Sequence, residues 1–218
     1  MINIAIDGPA GAGKSSVAKE IAARLGFIYV DTGALYRSIG VNALRNGVAT
    51  DDADAVTSLL PCVNVELKYI DGAQRVILNG EDVSEAIRLP EASMAASNVS
   101  AIPAVRTFLL DLQRDMAKKN NVIMDGRDIG TVILPDAQYK FFLTASAEVR
   151  AERRFKELKE KNITVDFNEL LEEIKQRDYN DSHRATAPLK QADDAELVDS
   201  SNMTKDEVIE YIISRIKV

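Results

Sequence analysis

The stretch Gly8-Pro9-Ala10-Gly11-Ala12-Gly13-Lys14-Ser15 constrains this chain more than any other. It follows an apolar run, Ile2 to Asp7, whose lack of alternation predicts a central parallel strand, and it precedes a helical pattern from about Lys14 to Leu25. Strand, glycine loop and helix in that order match the Walker A pattern in full. Glycines let backbone N–H groups converge on phosphate oxygens without interference from a Cβ, and the helix N-terminus adds partial positive charge. The spacing therefore predicts a phosphate cradle in which Lys14 reaches the β and γ oxygens and Ser15 gives a hydroxyl to Mg²⁺. A plain glycine turn would have no structural need for Lys and Ser at those offsets.

Downstream, the same alternation of strand and helix continues. Phe27 to Val30 reads as a strand, and Thr32 to Arg45 carries helical spacing through Leu35, Ile39, Val41 and Leu44 before Gly47 stops it. Val122 to Met124, Lys140 to Leu143 and Glu196 to Val198 are further short strands, each expected to lead into a helical stretch. The pattern predicts an α/β fold, a doubly wound parallel sheet of five strands with helices on both faces. Between Cys62 and Val83 the rhythm changes: Val63, Val65, Leu67 and Tyr69 alternate, Asp71-Gly72 marks a turn, and Val76 and Leu78 alternate again before Asn79-Gly80. This is an antiparallel insertion, followed by helices at about Pro90 to Val99 and Pro103 to Lys118. The expected division is a core at 1–60 and 120–218 with a helical lid at about 148–165, and an insertion at 61–119. Asp51 to Asp54 reads as the charged start of a solvated helix.

Composition narrows the class. At 218 residues and 46% apolar, the chain can bury one core with a small appended lobe and is expected to behave as one cooperative body. No run reaches the roughly 18 to 20 uncharged apolar residues that cross a bilayer, and Met1 to Asp7 is too short for a signal segment, so a cytoplasmic location is expected. The single cysteine, Cys62, makes no intramolecular disulfide and reads as a core thiol. A net charge of -7 opposes nucleic-acid binding. His183, the only histidine, gives little support to metal-dependent hydrolysis and is expected to face solvent. No Asn-Lys-x-Asp guanine element is present, and a motor or helicase would want a larger chain with an oligomer-facing arginine.

Fourteen arginines in an acidic chain, several beside turns or strand ends, ask for a reason. Moving a phosphoryl group between two anionic molecules gathers negative charge that guanidinium forks neutralise. Arg37, Arg106, Arg127, Arg150, Arg153, Arg154, Arg177 and Arg184 are the candidate forks. Val122-Ile123-Met124 runs straight into Asp125-Gly126-Arg127-Asp128, and strand ends line the ligand crevice of a parallel sheet. Asp125 either holds a water on Mg²⁺ in the manner of a Walker B acid or is a cap or turn acid. Arg150, Arg153 and Arg154 share a helix face, either a lid over phosphates or a face paired with Glu148, Glu152 and Glu157. Arg177, Asp181 and Arg184 recur at helical spacing, and Tyr36 either walls a pocket or packs in its helix.

Taken with the cradle, three further motifs carry a resemblance: Asp31-Thr32-Gly33-Ala34-Leu35-Tyr36-Arg37, Asp125-Gly126-Arg127-Asp128-Ile129-Gly130-Thr131 and Arg184-Ala185-Thr186-Ala187-Pro188-Leu189. In this order they closely resemble the bacterial cytidylate kinase family over essentially the whole chain. The cradle is common to many families, whereas the other three together are specific to this one. The resemblance implies transfer of the γ-phosphoryl group of ATP to CMP and dCMP, with Mg²⁺ at Ser15 and Asp125. It implies a loop Gly8 to Ser15 extended by the second hydroxyl of Ser16. Thr32, Ser97, Arg106 and Asp128 would border the pyrimidine, Arg177 and Asp181 the ribose, and Arg37, Arg127 and Arg184 the acceptor phosphate. Lys14, Arg127, Arg153, Arg154 and Arg184 would stabilise the charge in flight. The partners are then small nucleotides alone, without nucleic acid or membrane, and the protein a cytoplasmic monomer. Chemically, cytosine offers an amine beside two acceptors, which suits a carboxylate next to an Arg or Ser donor, while uracil inverts the first two groups. A kinase of UMP or AMP is the nearest alternative, and an ATP-binding regulatory module without turnover is the alternative from another class.

Overall fold

The computed structural model describes residues 1–70, 73–160 and 162–217, so the expected Asp71-Gly72 turn lies outside the described residues. The chain divides into two compact units, Met1–Val30 with Ala117–Val218, and Asp31–Met116. The second unit thus starts ahead of the expected insertion and includes the helix that follows Asp31.

In the first unit, β1 (Asn3–Asp7) is central, and Ile4, Ala5 and Ile6 are fully buried, as an unalternating strand covered on both faces must be. It pairs in parallel with β6 (Val122–Gly126) on one side and β7 (Tyr139–Thr144) on the other, and β8 (Glu196–Asp199) extends the sheet beyond β7. With β2 (Ile28–Asp31) beside β6, the order is β2-β6-β1-β7-β8. Asp7 stands opposite Gly126, so β1 and β6 finish at one level, while β7 runs two residues past Phe142, the residue opposite Asp7; all three parallel strands send their loops out at the same edge of the sheet. Helix α1 (Lys14–Leu25) turns Val17, Ala18 and Ile21 into the core and ends at Gly26, whose left-handed φ of 67° turns the chain so that the Phe27 N–H also reaches the Ala22 carbonyl, at 2.9 Å. Helix α8 (Lys205–Arg215) brings Val208, Ile209 and Ile212 to the same core and opens on a capping box between Thr204 and Glu207. Between β7 and β8 lie α6 (Ala147–Glu160) and α7 (Phe167–His183).

The second unit has its own core, built on α2 (Thr32–Arg45) and α4 (Pro90–Ser100), with α5 (Pro103–Lys119) contributing Val105 and Leu109. Asp31 caps α2 by accepting from the Ala34 N–H, and Asp52 does the same for α3 (Ala53–Leu59) through Ala55, so the acidic cluster does start a helix. The antiparallel insertion is β3 (Val65–Ile70) against β4 (Ala73–Leu78), joined by a two-residue strand β5 (Glu81–Asp82) that the sequence reading did not include.

Three expectations are corrected. Cys62 is exposed, not a core thiol: the 3₁₀ turn Leu60–Cys62 sends Leu60 inward and leaves the thiol at the surface. β6 leads not into an α-helix but into a single π-helical turn, Ile129–Ile133. Helix α7 stops at His183, and Arg184 follows in extended geometry (φ -64°, ψ 142°), so it does not complete a helical face with Arg177 and Asp181. Among the described residues no helix is long and apolar enough to cross a membrane.

Candidate active site

The loop after β1 depends on glycine at its first position. Gly8 has φ 147°, and a Cβ there would collide with the Leu143 carbonyl of β7. At the other end Gly13 caps α1 with φ 91° and has open space where a Cβ would project, so the mouth of the loop is unobstructed. Inside it, Lys14 is buried and donates to the Pro9 carbonyl at 2.7 Å. Burial, helped by the nearby Arg127 guanidinium, holds its ammonium down at about 7 against an ordinary 10.5. An anion bound beside it would offset both effects through its own charge and favour the ammonium.

Ser15 donates to Asp125 Oδ2 at 2.7 Å, and the Tyr29 hydroxyl donates to the other oxygen at 3.0 Å. The first residue of α1 after Lys14 is thereby joined to the end of the neighbouring strand, the relation a shared cation would need. Asp7, at the end of β1, reaches across to the π turn: its two oxygens accept from the Ile129 and Gly130 N–H groups at 2.8 and 2.7 Å. Burial pushes this carboxyl up to about 6 from 3.8, against the pull of those two hydrogen bonds. Neither Asp7 nor Tyr29 stood out in the sequence, although a carboxylate ending an otherwise apolar strand was the available signal.

Arg127 and Asp128, adjacent in sequence, do not pair with each other. Arg127 donates through Nε to Asp181 Oδ2 on α7 at 2.8 Å, while Asp128, buried, lies 3.6 Å from an Arg184 nitrogen. Arg184 is steadied by a 2.7 Å bond from its Nε to the Ala187 carbonyl. Arg177 stands one turn before Asp181 on α7. The structure therefore brings Lys14, Ser15, Asp125, Arg127, Asp128, Asp181 and Arg184 together within the first unit.

The three arginines of α6 separate. Arg154 pairs with Glu157 at 2.8 Å, Arg153 donates to the Ser200 carbonyl at 2.7 Å, and Arg150 turns inward to Asp178. Their mutual repulsion is relieved by these acceptors without any added anion. Beside the loop, Ala12, Gly13, Ser16, Arg153, Ser200 and Thr204 line part of a cavity of about 330 Å³, which sequence reasoning did not find.

On the second unit, Thr32 is buried at the start of α2, and Arg37 donates to Asp31 at 2.8 Å. The Arg37 Nε is buried with no hydrogen-bond partner among the described residues, a guanidinium donor that an anion would satisfy. Ser97 is partly buried on α4. Arg106 donates to the Ser100 carbonyl at 3.1 Å and lies 5.5 Å from the ring centre of Tyr36, whose side chain belongs to the core. His183 is exposed, as expected, and stacks on Tyr179.

A family model described as "Cytidylate kinase" matches residues 4–218. The chain belongs to the cytidylate kinase family. A cytidylate kinase of Caldicellulosiruptor saccharolyticus is 53% identical over 97% of this chain and 94% of its own length. One from Clostridium botulinum (strain Loch Maree / Type A3) is 49% identical over 99% of this chain and 98% of that one. The solved structure of an uncharacterized protein from Eubacterium ventriosum matches with a TM-score of 0.50 at 15% identity, covering 99% of this chain and 100% of that chain, a likeness of fold alone.

Proposed function

We propose that this member of the cytidylate kinase family transfers the γ-phosphoryl group of ATP to CMP, with dCMP as a second acceptor. The observation that carries the reading is the junction of β1 and β6, where Lys14 and the Ser15–Asp125 pair stand beside a strand end bearing Arg127 and Asp128. No nucleophile from the enzyme is needed. An acceptor phosphate oxygen attacks the γ-phosphorus in line, a new P–O bond forms as the bond to the ADP oxygen breaks, and positioned cations stabilise the spread charge.

Lys14, with backbone N–H groups of Gly8 to Ser15 and the hydroxyl of Ser16, binds the donor phosphates. The 330 Å³ cavity beside them takes the donor nucleoside, with Ser200 and Thr204 among its polar groups. Arg127 and Arg184 hold the acceptor phosphate, Arg177 and Asp181 the ribose, and Asp128 accepts from the cytosine amine. Thr32, Arg37, Ser97 and Arg106 of the second unit belong to the acceptor set, Arg37 through its unsatisfied Nε. Arg153 and Arg154 stabilise charge at the transferring group. Among the described residues no three His, Cys, Asp or Glu side chains form a metal cage. Mg²⁺ is commonly held by one or two carboxylates together with substrate phosphates. Ser15 and Asp125 would hold it, and it would supply charge neutralisation between the phosphates. A lone free thiol at Cys62 suits a reducing, cytoplasmic compartment, a net charge of -7 disfavours nucleic acid, and the enzyme is proposed to be a monomer.

The test is ADP release with ATP and each of CMP, dCMP, UMP and AMP. CMP is expected to be the best acceptor and dCMP next, because a buried Asp128 facing the uracil O4 costs on the order of a few kcal/mol. Preference for UMP or AMP would overturn the acceptor assignment. Silence with all four acceptors, in a protein that binds ATP, would favour a regulatory module.

A further inference from the structure

Arg150 has the sequence position of a phosphate-binding lid residue and the surroundings of something else. It is 4% exposed, and its guanidinium is committed within the protein. Nε donates to the Ala145 carbonyl at 2.9 Å, Nη1 to the Ala10 carbonyl at 2.9 Å and to Asp178 Oδ1 at 3.0 Å, and Nη2 to Asp178 Oδ2 at 2.5 Å. One planar group thus joins the end of β7, the phosphate loop and α7, an arrangement that a lysine point charge has too few fixed donors to reproduce.

The bond to Ala10 matters most for the loop. In a trans peptide the carbonyl and the following N–H point to opposite sides, so fixing the Ala10 oxygen toward Arg150 turns the Gly11 N–H away from α6. Gly11 has φ 77°, a region that glycine enters and leaves without the penalty a Cβ imposes, so the Ala10–Gly11 peptide can flip unless something holds it. A flip would offer an anion a carbonyl oxygen in place of a donor. Breaking a partly buried, charge-assisted hydrogen bond opposes it. The buried guanidinium is tolerable because Asp178 neutralises it; without that partner it would be an uncompensated buried charge.

We propose that Arg150, held by Asp178, is a positioning residue that presets the Ala10–Gly11 peptide of the phosphate loop for the donor nucleotide and does not itself touch ATP. This rests on the reading of Gly8 to Ser15 as the ATP cradle. It makes Asp178, on a helix 28 residues further along, a determinant of ATP affinity.

Arg150→Lys, Asp178→Asn and the double variant test it, through the dissociation constant of ATP by titration calorimetry and KM for CMP, both measured well below each variant's melting temperature. Each single variant is expected to bind ATP about 10-fold or more weakly, with KM for CMP changed less than about 2-fold. The double variant should be no worse than the worse single one, because both changes break the same link. Loss of ATP affinity in Arg150→Lys alone would mean that the guanidinium contacts ATP and would overturn the proposal. Lower melting temperatures with unchanged ATP affinity would also overturn it, leaving a purely structural bridge. If Arg150→Lys fails to fold, Asp178→Asn decides by the same two measurements. A wild-type protein that binds no ATP would instead sink the proposed function, and this inference with it.

Discussion

Asp7 ends a strand whose other core residues are apolar, and its carboxyl is held at about 6 against an ordinary 3.8, chiefly by burial. A folded pKa above the unfolded one means that the folded state binds the proton more tightly. The stability this gives is complete below pH 3.8 and is lost as pH rises through about 6. Asp7→Asn removes the titration while keeping the shape. The unfolding free energy of wild type minus that of the variant should therefore fall by about 2 kcal/mol between about pH 4.5 and 7.5, read from urea titrations of both proteins. A pH-independent difference would show that Asp7 titrates normally. Asp128 offers a second test at this scale, since an amide can present either an oxygen to the cytosine amine or an NH₂ to the uracil O4. Asp128→Asn should lower the CMP-to-UMP ratio of specificity constants about 10-fold, or roughly 1.4 kcal/mol. Both activities falling together at a constant ratio would mean that the carboxylate only orients Arg184. The two aspartates also mark what a sequence discloses at this scale. Lys14 and Ser15 were legible because a loop and the start of its helix keep their functional residues contiguous. Asp7 was not, because the amides it holds lie 122 and 123 residues away, and its place at the end of an apolar run does not say what it holds.

Helices were legible wherever one face had to be apolar, as in α1, α2 and α5, since the 3.6-residue period is set by the core they cover. The π turn after β6 was not legible, because it is held by two bonds to a residue of another strand and not by its own propensity. What a helix packs against was equally hidden. Glycine is a poor helix former, yet a Cβ built at Gly40 in α2 would lie 2.7 Å from Ala95 Cβ and 3.1 Å from the Ala95 carbonyl carbon of α4. The glycine lets two backbones approach closely. Gly40→Ala therefore sets a helix-propensity gain of about 1 kcal/mol against overpacking of roughly 1 to 3 kcal/mol. Overpacking should win, because two of the three nearest atoms are backbone, giving a net loss of up to about 2 kcal/mol in urea unfolding. Ala95→Gly in the same chain should recover part of that loss by removing the nearest atom. A Gly40→Ala protein at least as stable as wild type would show that α4 yields without strain.

The division into two units carries a consequence for cooperativity that a single apolar fraction did not suggest. The sequence reading allowed for one core and an appended lobe, whereas each unit here buries its own cluster, one around Ile6, Ile21 and Ile209 and the other around Leu35, Val99 and Leu109. Composition counts apolar residues without saying how many cores they make; it was the change of rhythm after Cys62 that marked a second, smaller lobe in the sequence. Two cores allow openings of one unit that leave the other folded. The proposed donor residues, from the phosphate loop to the cavity lined by Ser200 and Thr204, all belong to the first unit. A ligand that binds only the folded form of one unit stabilises it by mass action, by about 2.7 kcal/mol at a concentration 100 times the dissociation constant. Hydrogen exchange followed by mass spectrometry resolves the two. With ATP at that concentration, in the absence of CMP, the slowest amides of β1, β6 and α1 should gain protection approaching 100-fold. The slowest amides of α2 and α5 up to Met116 should gain less than about 3-fold, because their opening does not require release of ATP. An equal gain in both units would mean that the chain opens only as one body, and that two separate cores do not make two cooperative units.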